Sequence, residues 1–101
     1  MTPESKVKKQ VKDLLNEFHA YWFMPVANMF TRGGIPDIIA CFRGLFVAIE
    51  CKAGVNKCTK LQELEQAKIQ EAGGCTFVVS DDEQSLKDLR LFLTMYMSKD
   101  V

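Results

Sequence analysis

The fold of this chain is decided by residues 34–52, which read GIPDIIACFRGLFVAIECK. Two apolar runs flank residues 43–44, and this pattern predicts two antiparallel strands joined by a two-residue turn. Extending that register outward brings Asp37 opposite Glu50, and cross-strand partners point to the same side of a sheet. The two carboxylates are therefore expected to be neighbours. A three-residue loop would instead shift the register and move Asp37 to the other face.

Charges on these apolar strands indicate a functional site. Like charges directly opposite each other destabilise a sheet unless a proton or a cation neutralises them. Carboxylate oxygens are suitable ligands for Mg²⁺ or Mn²⁺. Waters and a substrate phosphate commonly fill the remaining coordination positions of such an ion. Lys52 shares a face with Glu50, where its ammonium could orient water or stabilise charge at a phosphate. The alternative, a Glu-Lys pair on a solvated edge strand, is disfavoured because both faces of the hairpin are apolar.

Pro36-Asp37 followed by Glu50-Cys51-Lys52 resembles the catalytic core of the PD-(D/E)XK nuclease superfamily. The wider pattern is similar to small stand-alone members of its virus-type replication-repair nuclease (VRR-NUC) family. The family-like features span most of the chain: Glu4-Ser5-Lys6, the approach Arg32-Gly33-Gly34-Ile35-Pro36-Asp37, Glu50-Cys51-Lys52 and Leu61-Gln62. The resemblance implies a metal-dependent DNA endonuclease that needs Mg²⁺ or Mn²⁺ and no small-molecule cofactor.

The resemblance also assigns roles to individual residues. The catalytic residues it implies are Asp37, Glu50, Lys52 and Gln62, and the implied metal ligands are Asp37, Glu50, the backbone carbonyl of Cys51, and Glu4, directly or through water. Two of these residues have simpler explanations. An acid such as Glu4 in the first turn of a helix is favoured by the helix dipole. Gln62 completes a capping box that begins at Thr59.

The candidate DNA contacts are basic residues: Arg32, Lys6, Lys9, Lys57 and Lys60. Residues 26–34 are predicted to form a mobile loop that brings Arg32 to the site, where it would clamp a phosphate. Arg32 is equally compatible with a plain surface charge, and the lysines of the first helix with a solvated helix face.

The resemblance implies cleavage of branched DNA, such as Holliday junctions, by a homodimer. Apolar residues near the C-terminus are compatible with a dimer, although core packing explains them as well. One alternative is another branch of the superfamily, such as an archaeal-type junction resolvase or a restriction-like nuclease. A second alternative is a non-catalytic nucleic-acid-binding module with the same fold.

Composition indicates one globular domain, residues 1–101. The chain is 48% hydrophobic and 26% charged, with zero net charge, which argues against a broad basic surface for a polyanion. The charge is nevertheless unevenly distributed, because residues 1–60 carry +4 and residues 61–101 carry −4. No long apolar run and no signal-peptide pattern is present, so we expect an intracellular protein without a membrane segment.

The four cysteines lack C-x-x-C spacing, and we expect buried thiols rather than a zinc site. Cys41 and Cys51 in particular lie inside apolar strands. His19, the single histidine, is far from them in sequence and is interpreted as a helix-end residue.

The element pattern predicts an α/β fold of order αβββαβα, a mixed four-stranded sheet with helices on both faces. The last strand follows a helix and is expected to lie parallel to the third. The predicted elements are a helix from Pro3 to about Ala20, strands over 21–24, 37–42 and 45–52, a helix from Thr59 to Gly73-Gly74, a strand over 75–80, and a last helix capped by Asp81 or Asp82.

Overall fold

The hairpin at the centre of the sheet has the register that the sequence predicts. The computed structural model describes residues 1–26 and 32–98. Strands β2 (Ile38–Phe42) and β3 (Leu45–Cys51) pair antiparallel, with Phe42 opposite Leu45. Residues 43–44 have φ values of 51° and 84°, as a type I′ turn requires at both central positions. The two-residue turn is therefore confirmed. The register that it sets also decides which face of the sheet each side chain of the hairpin points to.

The remaining elements complete the predicted order. Across residues 1–26 and 32–98 they are α1 (Pro3–Glu17), β1 (Tyr21–Phe23), β2, β3, α2 (Lys60–Glu71), β4 (Cys75–Val79) and α3 (Glu83–Met97). The strands lie in the order β1-β2-β3-β4, antiparallel except for the parallel pair β3 and β4. Parallel neighbours need a crossover connection, which α2 provides. The mixed four-stranded sheet is thus confirmed.

Helix α1 ends earlier than the sequence predicts, at Glu17 rather than near Ala20. His19 adopts a left-handed conformation with φ of 59°, directly after the cap residue Phe18. The N–H of Ala20 then donates to the carbonyl of Leu15 at 3.0 Å, which closes the last turn. His19 is the helix-end residue that the sequence indicates. No helix within the described ranges is long and apolar enough to cross a membrane.

The hydrophobic core lies on one face of the sheet, beneath α1 and α3. These two helices contribute side chains at helical spacing, and the strands contribute every second residue. The most deeply buried members are Val7, Val11, Leu15, Leu89 and Leu93 from the helices and Ile38, Val47, Ile49 and Val79 from the strands. Alternate residues of the hairpin point into this core, so the residues between them point to the other face of the sheet. Glu50 is one of the residues on that other face.

Helix α2 lies on the opposite face and covers it only in part. Cys41 and Phe46, which are cross-strand partners on this face, are both exposed. The prediction of buried thiols is therefore wrong for Cys41, and Cys58 and Cys75 are only half-buried. Cys51 faces the core and is fully buried. The reason is that one twelve-residue helix cannot cover four strands.

The approach to Asp37 is held against the start of α2. Gly34 has a φ of 87°, and a Cβ at this position would lie 2.3 Å from the backbone oxygen of Leu61. Only glycine fits such a close approach in a left-handed conformation. Of the predicted mobile loop over 26–34, residues 27–31 lie outside the described residues.

Candidate active site

Asp37 and Glu50 meet at the open end of the hairpin. The last ladder pair joins Ile38 and Ile49, so these acids occupy the next position outward. Oδ2 of Asp37 accepts a hydrogen bond from the N–H of Cys51 at 2.8 Å, which fixes the carboxylate beside β3. A hydrogen bond with Asp37 is also one cause of the raised pKa of Glu50. The two carboxyl groups therefore converge, as the register predicts.

Glu50 is a buried acid without full hydrogen bonding. The residue is 3% exposed, and its Oε2 has no hydrogen-bond partner among the described residues. Burial, followed by the hydrogen bond and charge of Asp37, raises the pKa of Glu50 to about 8, while Lys52 acts in the opposite direction. In the metal-free protein this raised pKa favours the protonated form of Glu50 at neutral pH. An orphaned buried oxygen of this kind calls for a partner that the protein itself does not supply.

Lys52 lies directly after β3, beside the acids. Its backbone N–H donates to the carbonyl of Val79 at 2.9 Å, which continues the pairing with β4. Within residues 1–26 and 32–98 its ammonium makes no hydrogen bond or ion pair, although its charge acts on Glu50. The ammonium is therefore available to a substrate.

Lys8 of α1 is a site residue that the sequence analysis missed. Its Nζ lies 3.9 Å from Oδ1 of Asp37 and 3.6 Å from Oε2 of Glu4. Residues four apart share a helix face, so the spacing of Glu4 and Lys8 was the available signal. Helix α1 thus brings a cation as well as an acid to the hairpin end.

Glu4 does not join the two acids as a third clustered carboxylate. Among residues 1–26 and 32–98, no group of three or more His, Cys, Asp or Glu side chains could hold one metal ion. Glu4 instead pairs with Lys8, and its charge is the last of the causes that raise the pKa of Glu50. The geometry therefore does not support Glu4 as a direct ligand and leaves only the role through water.

The paired acids nevertheless fit a hard divalent cation. Mg²⁺ is usually held by one or two carboxylates, with waters and substrate phosphate completing its coordination, so a third protein acid is not required. The unpartnered Oε2 of Glu50 and the Oδ1 of Asp37 are oxygens of the required kind. Cys51 would contribute only its backbone carbonyl, a role that stays a prediction. Burial raises the pKa of its thiol to about 12 and keeps it protonated.

Gln62 caps α2. Its Oε1 accepts a hydrogen bond from the N–H of Thr59 at 2.8 Å, and its own N–H donates to Oγ1 of Thr59 at 3.2 Å. This reciprocal pair is the capping box that the sequence indicates. The structural explanation of Gln62 is confirmed, and its catalytic role stays a prediction.

Arg32 is paired with α2 and not with the acids of the hairpin. Its Nε and one terminal nitrogen donate to the two oxygens of Glu65, at 2.6 and 3.3 Å. Glu65 is 4% exposed, and the hydrogen bond from Arg32 holds its pKa below the usual range. The fork of the guanidinium is thus already engaged, which does not support the phosphate-clamp interpretation. No sequence signal distinguishes Glu65 from the solvated acids of α2.

The other predicted DNA contacts are exposed lysines. Lys6, Lys9, Lys57 and Lys60 all have exposed side chains, and Lys9 forms an ion pair with Asp13 at 2.8 Å. Exposure leaves them accessible to a phosphate backbone but equally explains them as solvated charges. Their role in DNA binding stays a prediction.

Comparisons with known proteins identify the fold. No protein-family model and no curated protein matches this chain. A solved structure described as a VRR_NUC domain does match, with a TM-score of 0.72 over 88% of this chain and 95% of that one. This chain has the fold of a VRR_NUC domain. At 20% identity the similarity is one of fold, and it agrees with the family that the Pro36-Asp37 and Glu50-Cys51-Lys52 motifs resemble. In this VRR_NUC fold the paired acids lie where the hairpin meets α1.

Proposed function

We propose that this chain is a nuclease, and more specifically a Mg²⁺- or Mn²⁺-dependent DNA endonuclease of the PD-(D/E)XK type. The observation that carries the proposal is the convergence of Asp37 with Glu50, whose Oε2 has no partner among the described residues. Opposed acids in apolar surroundings destabilise a fold, so their presence favours a role that needs them. The VRR_NUC fold supports the same conclusion.

The proposed roles follow from the positions of the side chains. Asp37 and Glu50 hold the metal, with the carbonyl of Cys51 as a further ligand. A divalent cation bound there supplies charge stabilisation at the phosphate and lowers the pKa of a bound water. Glu50 must release its proton before Oε2 can bind a cation, so below its raised pKa metal binding is expected to release a proton to solvent.

Lys52 and two residues outside the metal-binding pair complete the proposed site. The ammonium of Lys52 donates hydrogen bonds to the attacking water or to a phosphate oxygen. Gln62 supports the site from the start of α2, and Glu4 supports it through a bridging water and its ion pair with Lys8. The reaction is hydrolysis of a phosphodiester bond by in-line attack of water.

The proposed substrate is branched DNA such as a Holliday junction, cleaved by a homodimer. Two symmetric sites match the two-fold symmetry of a junction. This part rests on the family resemblance and not on any residue that reads DNA structure. The same proposal includes contacts with the DNA backbone by the side chains of Lys6, Lys9, Lys57 and Lys60. It also includes a single nuclease domain over residues 1–101 and an intracellular location.

A cleavage assay tests the proposed function. Four-way, flap and linear DNA are incubated with Mn²⁺ and wild-type protein, Lys52→Ala or Lys87→Ala. Lys87 is the matched control because it pairs with Glu83 on α3. We expect the wild type and Lys87→Ala to cut alike and Lys52→Ala to be slower by about 10²-fold or more.

Two results of this assay would count against the proposal. Tight junction binding without cutting by the wild type would favour the non-catalytic module. Equal cutting by all three proteins would remove Lys52 from the mechanism.

A further inference from the structure

Lys8 reaches the predicted metal site from α1, although no motif of the sequence assigns it a role. Its Nζ lies 3.9 Å from Oδ1 of Asp37 and 3.6 Å from Oε2 of Glu4. The Lys8 side chain is 27% exposed, so most of it is shielded from solvent. Among residues 1–26 and 32–98, Lys8 is the basic residue that forms an ion pair with Asp37.

The two oxygens of Asp37 are not equivalent. Oδ2 accepts the hydrogen bond from the N–H of Cys51 at 2.8 Å. Oδ1 accepts no backbone hydrogen bond from the described residues, and the ammonium of Lys8 lies beside this same atom. A divalent ion that binds Oδ1 must either displace the ammonium of Lys8 or bind more weakly because that positive charge repels it.

We propose that Lys8 is a positioning residue that acts as the counter-ion of Asp37 in the metal-free site and competes with the divalent metal for Oδ1. The inference rests on the proposed function, because it takes Asp37 as a metal ligand. The separation of 3.9 Å exceeds that of a hydrogen bond, so the ammonium is held by charge and is easily displaced. Glu4 keeps it close when the metal enters, since the two residues share one helix face.

This arrangement has a consequence that a purely structural lysine would not have. Removing the charge of Lys8 takes away a competitor, so the metal should bind more tightly. Damage to the fold would instead weaken binding, because Asp37 and Glu50 would lose their alignment. The sign of the change therefore separates the two roles.

Calorimetric titration of the metal-free protein with Mn²⁺ tests the proposal. The variants are Lys8→Met, Lys8→Arg, and Lys12→Met, which removes the same charge one turn further along α1, where no ion pair with Asp37 exists among the described residues. We expect Lys8→Met to bind Mn²⁺ about five-fold more tightly than wild type, the upper range for a partly exposed ion pair. Lys8→Arg and Lys12→Met should stay within about two-fold of wild type.

The outcomes distinguish this inference from the proposed function. If wild-type protein binds no Mn²⁺, the proposed function fails. If wild type binds but Lys8→Met binds no more tightly than Lys12→Met, only the role of Lys8 is overturned. Circular dichroism checks that each variant is folded, and Lys8→Gln replaces Lys8→Met if that variant is not.

Discussion

The pH dependence of stability tests whether Glu50 keeps its proton in the metal-free protein. Burial and Asp37 raise the pKa of Glu50 from 4.5 to about 8. Between these values the folded chain holds a proton that the unfolded chain has released, so stability falls as pH rises through this window. At about 1.4 kcal/mol per pH unit, the full shift sets an upper limit of about 5 kcal/mol on this loss.

Urea unfolding in EDTA, from about pH 5 to pH 9, measures this loss. The variant Glu50→Gln keeps the shape of the side chain without its titration, and Glu71→Gln is an exposed control at the end of α2. Wild type and Glu71→Gln should lose a few kcal/mol more than Glu50→Gln across this range, within the limit of about 5 kcal/mol. Parallel curves for wild type and Glu50→Gln would refute the argument that Glu50 is protonated.

Three further predictions concern the segments that support the site. Gly34→Ala should lower the free energy of unfolding by about 3 kcal/mol or more. Gly44 has a similar φ but no atom near the position of a Cβ, so Gly44→Ala should lower it by only about 1 kcal/mol. Equal losses for the two variants in urea unfolding would contradict the close approach of Gly34 to α2. Gln62→Ala should lower the free energy of unfolding by about 1 kcal/mol through the lost cap. If its cleavage rate falls only in proportion to the fraction of protein that is folded, the catalytic role of Gln62 is contradicted and only its capping role remains. Arg32→Ala should lower Tm because it removes both hydrogen bonds to the carboxylate of Glu65 and leaves it, among the described residues, only the ion pair with Lys68 at 3.8 Å. Adding Glu65→Gln should restore most of the loss, and additive losses would contradict this pairing.

The hairpin and the paired acids could be predicted because their causes are local. A two-residue turn fixes the register, and the register then fixes the face of every side chain. Asp37 and Glu50 are therefore brought together by the same residues that form the turn. The capping box of α2 is also local, since its two members lie three residues apart.

The remaining contacts depend on how separate elements pack. Lys8 reaches Asp37 only because α1 lies over the end of the hairpin, and Arg32 meets Glu65 across 33 positions of sequence. Neither contact follows from periodicity. The exposure of Cys41 has the same origin, because the alternation of β2 places it on the α2 face but does not say how far α2 extends. Local pattern thus predicts Asp37, Glu50 and Lys52, whereas tertiary packing decides which acids Lys8 and Arg32 contact.

The central claim is that Asp37 and Glu50 hold one divalent cation between them. Crystals grown with saturating Mn²⁺ at alkaline pH, which favours release of the proton of Glu50 despite its raised pKa, allow the metal to be located by anomalous diffraction. The account predicts one peak bonded to Oδ1 of Asp37 and Oε2 of Glu50. Saturating Mn²⁺ with no peak between these oxygens, or with a peak bound only by other residues, would contradict it.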